Sequence, residues 1–262
     1  MINAILIYIH LSLFCVTGWL DKPPLDRQLK NNDITTLDFK VHDTLISFSG
    51  FWVNERYIKD IKSSKSPRKS QGNDESCITI PNKTLQIMRI VWGFHDGGED
   101  LVVVKNGNNY QLWDGELKEK FKDIKIISKT KIKIGNNYFV KLETTDKAIT
   151  DSNPKILEEI LFKGTYHSGN GKIVEFKANG QIKGLDNFTH YDPVIDYVGD
   201  PDLDVDQISL GKSQNKTNLF GFKFQKSTLL IYQLKCIEYD SANNKCAKVS
   251  YGHLIYKLLR IK

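Results

Sequence analysis

Short runs of alternating apolar and polar residues, separated by turn signals, constrain the fold of this chain more than any other feature. The turns are built from glycine and asparagine, as in Asp96-Gly97-Gly98 and Ala178-Asn179-Gly180. These residues tolerate the positive φ angles of tight hairpins. Since consecutive strands joined by such short turns must be antiparallel, the sequence predicts an all-β antiparallel meander that closes into a barrel.

The predicted strands occupy both halves of the chain. They cover residues 44–53, 77–80, 85–92, 101–105, 110–113, 124–134, 138–143, 172–177, 181–185, 205–210, 219–225, 228–235 and 249–261. Two short helices interrupt this series. The first covers 54–62, with Asn54 as its N-cap and an apolar face of Tyr57, Ile58 and Ile61, and the second covers 151–162.

A chain of 262 residues, 40% of them hydrophobic, can build one large β domain or two small ones. The segment Lys163-Gly164-Thr165-Tyr166 after the second helix is similar to Ser49-Gly50-Phe51-Trp52, so 44–146 and 161–262 form a possible degenerate repeat. The connection between these halves does not have the composition of a flexible linker. We therefore expect one elongated barrel over 44–262 rather than two small ones.

The first 18 residues have the length and apolar character of a signal peptide, with small residues before Trp19. They predict an exported protein, periplasmic or secreted, in which 19–43 form an N-terminal extension. Acylation at Cys15 is an alternative, but Phe14 is a poor fit before an acylated cysteine. No later stretch is long and apolar enough to predict a transmembrane segment.

Export changes the interpretation of the three cysteines that follow the predicted cleavage site. Cys236 and Cys246 flank a polar loop between two strong strands, which predicts a disulfide across a hairpin. Cys77 is then unpaired. Because no base accompanies it locally, we interpret Cys77 as a buried inert thiol.

The basic charge does not indicate nucleic-acid binding. Lys and Arg number 37 against 31 Asp and Glu, and many lysines alternate with isoleucines within 122–134. This spacing is typical of a solvated strand face. No aromatic and basic recognition motif accompanies it.

Two polar clusters are candidates for chemistry. His95–Asp100 is interpreted as a hairpin turn, with an acid/base pair of a hydrolase as the alternative. A series of alternating acids lacks the glycine and glutamate of an EF-hand, so we assign no metal to it and expect its members on one solvent-facing side of a strand. We assign no catalytic residue and no cofactor. The acids are Asp200, Asp202, Asp204 and Asp206.

Gly50-x-Trp52, the helix after it, the meander and Arg260 in the last strand resemble the calycins, and the lipocalins among them. The resemblance implies that Arg260 packs across Trp52, because a late arginine covers the first-strand tryptophan in lipocalins. Gly50, Trp52 and Arg260 would then be structural residues. Residues 49–67 also resemble a group of uncharacterised exported proteins from Bacteroidetes, which implies a class and a compartment but no chemistry.

This resemblance leads to the expectation of an exported lipocalin-like protein that binds a small apolar or amphiphilic ligand inside a barrel. The alternatives are an envelope accessory or interaction module whose barrel is filled by its own side chains, and a hydrolase. An aromatic set in the strands supplies the candidate ligand-binding residues. They are Trp92, Tyr110, Trp113, Phe220, Phe222 and Phe224.

Overall fold

The computed structural model describes residues 48–70, 75–82, 87–92, 98–142, 155–197, 204–242 and 244–261. The predicted signal peptide 1–18, Cys15 and the extension 19–43 lie outside the described residues. No helix within the described ranges is long and apolar enough to cross a membrane.

Eight strands of the first half form a closed antiparallel barrel in simple chain order. The sheet closes where the first strand pairs with the eighth, with Val53 opposite Val140. The strands are β1 (Gly50–Asn54), β2 (Glu75–Ile80), β3 (Ile87–Trp92), β4 (Gly98–Asn106), β5 (Asn109–Asp114), β6 (Lys120–Ser128), β7 (Lys131–Ile134) and β8 (Asn137–Lys141).

Eight strands of the second half form another closed antiparallel barrel. Its closure is the pairing of its first strand with its last, with His167 opposite Leu259. The strands are β9 (Gly164–Ser168), β10 (Ile173–Phe176), β11 (Gln181–Leu185), β12 (Phe188–Pro193), β13 (Gln207–Ser213), β14 (Lys216–Gln225), β15 (Thr228–Asp240) and β16 (Lys245–Arg260).

The predicted antiparallel meander that closes into a barrel, with two short helices, is confirmed. The preference for one elongated barrel is wrong, because the edge strands of each half pair with each other: β1 pairs with β8, and β9 pairs with β16. The absence of a linker composition did not indicate one sheet. The described end of the connection packs into the core of the second barrel through Ile156, Leu157 and Phe162.

Three strands differ from the prediction. The stretch 124–134 is not one strand but the β6–β7 hairpin, which turns at Lys129 and Thr130. The Thr130 amide donates to Ser128 Oγ at 3.2 Å, a serine turn that carries no glycine or asparagine signal. β9 and β12 were not predicted as strands, since both are short and polar.

Helix α1 (Glu55–Ser64) begins at the predicted cap, where the Arg56 amide donates to Asn54 Oδ1 at 2.9 Å. It ends at Lys65, which has a left-handed conformation. The predicted face of Tyr57, Ile58 and Ile61 is buried. A short 3-10 helix, Arg68–Ser70, follows.

The described part of the second helix begins at Ile156 and continues as a π-helical turn, Glu158–Phe162. This turn leads directly into β9. Phe162 is fully buried in the second barrel and contacts the rings of Phe176, Tyr191, Phe222 and Phe224, with centroid distances of 5.0–6.1 Å.

The buried side chains form two clusters. One fills the first barrel, with Trp52, Ile78 and Phe139 among its members. The other fills the second barrel and continues through the second helix to Ile61 of α1 and to Val53 and Cys77 on the outer face of the first barrel. The first barrel therefore has its own interior core, and the core of the second barrel continues onto the outer face of the first.

Candidate functional site

The two barrels begin with the same five-residue arrangement, Phe-x-Gly-x-aromatic. Trp52 Nε1 donates to the Phe48 carbonyl at 2.9 Å, and Tyr166 Oη donates to the Phe162 carbonyl at 2.8 Å. Both aromatic side chains are fully buried. The similarity between 49–52 and 163–166 is thus matched by equivalent contacts.

A cation from the closing strand covers each aromatic ring. Lys141 Nζ lies 5.7 Å from the Trp52 ring centre, and the Arg260 guanidinium carbon lies 5.2 Å from that of Tyr166. The members of each pair are also direct partners in the strand register. Burial raises the pKa of Tyr166 to about 12, although Arg260 acts against this shift.

The predicted contact between Trp52 and Arg260 is wrong. β1 pairs with β2 and β8, and β16 pairs with β15 and β9, so the first and last strands are not neighbours. A cation does cover the first-strand aromatic, but it belongs to the eighth strand of the same barrel. Gly50 has a φ of 125° and faces Lys141, which explains why glycine stands there.

The six predicted ligand-binding aromatics do not come together in one site. Tyr110 packs against Phe48, and Trp113 donates to Gln111, both in the first barrel. Three others lie on β14 of the second barrel: Phe220, Phe222 and Phe224. The side chain of Trp92 lies outside the described part of the chain. A ligand-binding role for this set stays a prediction.

The last two strands extend beyond the second barrel as a two-stranded arm, which we define as residues 234–240 and 245–251. β14 pairs with β15 only up to Gln233, and β9 pairs with β16 only from Leu258. Within the described pairings, the arm's strands bond only to each other. At about 3.3 Å per residue the arm is roughly 20 Å long.

The base of the arm is fixed by Tyr251. Its hydroxyl donates to the Phe222 carbonyl at 2.8 Å, and its ring packs at a tilt against Tyr232 with centroids 4.8 Å apart. Gly221 makes this possible, since a Cβ there would lie 2.9 Å from the Tyr251 ring. Lys248 pairs with Asp204 at 3.3 Å.

The predicted disulfide joins Cys236 and Cys246 across the arm. Cys77 is a free, buried thiol, as predicted. Burial raises the pKa of Cys77 to about 12, so it stays protonated and unreactive at neutral pH. Two large apolar side chains of the arm are exposed: Ile237 is 52% and Tyr239 is 58% accessible.

The polar clusters do not form a ligand set in the described residues. His95 and Asp96 lie outside the described ranges, as do Asp200 and Asp202. Asp206 is buried rather than on the expected solvent-facing side, because its carboxylate accepts from the Arg68 amide at 3.0 Å. The described part of the chain contains no group of three or more His, Cys, Asp or Glu suited to a metal ion.

Sequence reasoning missed an ion cluster at the second helix, in which one carboxylate is buried. Glu158 is 3% accessible, and Lys155 Nζ lies 3.1 Å from its Oε1, but that oxygen has no hydrogen bond of suitable geometry. Lys155 also pairs with Asp192 at 2.8 Å. Burial raises the pKa of Glu158 to about 7, although Lys155 acts against it. No motif marks this cluster in the sequence.

Protein-family models, curated proteins and solved structures were compared with this chain, and none matches it.

Proposed function

We propose that this chain is an exported binding protein of calycin-like architecture, in which two filled barrels present the arm to a protein partner. The exposure of Ile237 and Tyr239, on a strand pair whose edges pair with no other described strand, carries this proposal. Large apolar side chains in such a position are typical of an interaction surface.

The packing of both barrel interiors favours a protein partner over an internal ligand. Fully buried side chains fill each barrel, with Trp52 and Phe139 in the first and Phe162 and Phe222 in the second. A ligand site of ordinary size needs a cavity of roughly 300–1,000 Å³, and the pocket of about 560 Å³ at the first barrel lies among mostly exposed residues of the β4–β5 turn and β6. The alternative of a filled interaction module, stated above from the sequence, therefore has the better structural support.

The disulfide supports the proposed export, because such bonds persist mainly in oxidising compartments. The signal-like character of residues 1–18 points to the same compartment. In the arm, the bond holds two strands together where no third strand among the described residues pairs with them. We infer that the partner supplies that support as an extended segment added to the arm's edge, a common mode of peptide recognition.

Site-specific photocrosslinking tests this proposal in the cells that naturally carry the protein. A photoreactive phenylalanine analogue replaces Tyr239 on the arm or, as a matched control, Tyr138, which is 40% accessible on the first barrel. We expect a discrete crosslinked protein from position 239 only, and its loss when Ile237→Lys is added. Equal products from both positions, or products unaffected by Ile237→Lys, would contradict the proposal.

A further inference from the structure

A cationic cleft of about 250 Å³ lies at the junction of the two halves. It is bounded by the C-terminal end of α1, the π-helical turn and the turn between β14 and β15. Three lysines and one arginine line it together with three apolar residues and one serine. The lining residues are Lys62, Lys65, Ile160, Leu161, Phe224, Lys226, Ser227 and Arg260.

The positive charges of this cleft are not neutralised from within it, since no carboxylate is among its lining residues. The ammonium groups of Lys62 and Lys226 make no hydrogen bond or ion pair with any described residue. Lys65 Nζ donates to the Lys226 carbonyl, and this hydrogen bond joins the end of α1 to the turn between β14 and β15. The α1 C-terminus adds only about half a negative charge, so the cleft stays strongly positive.

Hydrogen bonds hold the guanidinium of Arg260 in place at the cleft. Its Nε donates to Tyr166 Oη at 3.1 Å, and its Nη2 donates to the carbonyls of Leu161 and Lys163. Nη1 has no partner within the described residues and is left for a ligand. A guanidinium held in this way is pre-organised for an anionic oxygen.

Three apolar residues also line the cleft. Ile160, Leu161 and Phe224 face the same space as the four cations. Positive and apolar groups in one cleft suit a molecule with an anionic head and a hydrocarbon tail, since a simple anion would leave the apolar residues in contact with water.

We propose that this cleft binds a free anionic amphiphile whose carboxylate or phosphate head contacts Lys62, Lys226 and Arg260. Its volume lies just below the roughly 300–1,000 Å³ of ordinary ligand sites. The cleft therefore takes the head and the first part of the tail. This site does not involve the arm, so it is independent of the proposed protein partner.

Isothermal titration calorimetry of the full chain with monomeric decanoate tests this site. The variant Lys62→Gln/Lys226→Gln removes two cations of the cleft. Its control is Lys59→Gln/Lys223→Gln, which removes one lysine from α1 and one from β14, close in sequence to the test positions but outside the cleft. We expect decanoate affinity to fall at least about tenfold in the first variant and less than about twofold in the control. It should also fall with added salt.

Each comparison probe examines one part of the proposal. Acetate carries the head without a tail, and 1-decanol carries the tail without a charge; both should bind at least about tenfold more weakly than decanoate. Equal binding of either probe would overturn the proposal, and so would equal loss in both variants. Binding to phosphatidylglycerol vesicles without binding to monomeric decanoate would replace the free ligand with a membrane surface and would also overturn it.

Discussion

At the scale of single residues, Arg260 links the closure of the second barrel to the end of the π-helical turn. Its guanidinium donates hydrogen bonds to one hydroxyl and two carbonyl oxygens and lies over the Tyr166 ring. Lys141 covers Trp52 in the first barrel with a single ammonium group. The same position in the two halves thus carries different chemistry, with a guanidinium that also binds helix carbonyls in the second barrel.

Replacement of Arg260 should therefore destabilise the protein clearly. We expect Arg260→Ala to lower the free energy of unfolding by about 2–3 kcal/mol, because three acceptors lose a charged donor. Arg260→Lys should recover only part of this, since an ammonium cannot reproduce the planar fork. Urea titrations measure both, with Lys257→Ala on the exposed side of β16 as the control. An effect of Arg260→Ala no larger than that of the control would contradict the assigned contacts.

Glu158 should make stability depend on pH in an unusual direction. Its pKa is about 7 in the folded protein, against an ordinary value of 4.5. Between these values the folded state holds more protons than the unfolded state, so stability falls as the pH rises from about 4.5 to 7 and stays lower above. The loss is on the order of 1–3 kcal/mol.

The variant Glu158→Gln tests this dependence, because its amide stays neutral at all these pH values. The difference in unfolding free energy between wild type and variant should change steadily between pH 4.5 and 8. Burial also raises the pKa of Asp206, but that group is present in both proteins and cancels in the difference. A difference independent of pH would show that Glu158 is ionised with its ordinary pKa beside Lys155 and Asp192.

At the scale of elements, the arm depends on its disulfide more than the barrels do. The chain-entropy model gives about 2–3 kcal/mol for a bond that closes a loop of this length. We expect Cys236→Ser/Cys246→Ser to increase amide hydrogen exchange in 235–248 at least about tenfold, with little change in β9 or β10. Cys77→Ser is the control for loss of a thiol. Exchange that rises equally in the arm and the barrel strands would contradict an independent arm.

Elements with a strong local signal were predictable from the sequence. Asn54 and the spacing of Tyr57, Ile58 and Ile61 predicted α1, and the polar loop between Cys236 and Cys246 predicted the disulfide hairpin. The β6–β7 turn was missed because its signal is a serine hydroxyl rather than a glycine. The length of the arm was also missed, since nothing in a strand's own sequence says where its neighbours end.

At the scale of the whole molecule, the number of barrels depends on which strands meet at the closure. Local periodicity specifies strands but not their distant partners, so Trp52 was paired with the arginine of the last strand. The internal similarity between 49–52 and 163–166 was the sequence feature that indicated the number of barrels. Two equivalent opening motifs imply two closures, and the structure places a cation over each.

Backbone amide contacts across the closures test the two-barrel account most directly. In an isotope-edited nuclear Overhauser spectrum, we expect cross-peaks between Val53 and Val140 and between His167 and Leu259, the opposed residues of β1–β8 and β9–β16. Cross-peaks joining 52–54 to 258–260, with none between β1 and β8, would contradict the account and restore a single barrel closed by its first and last strands.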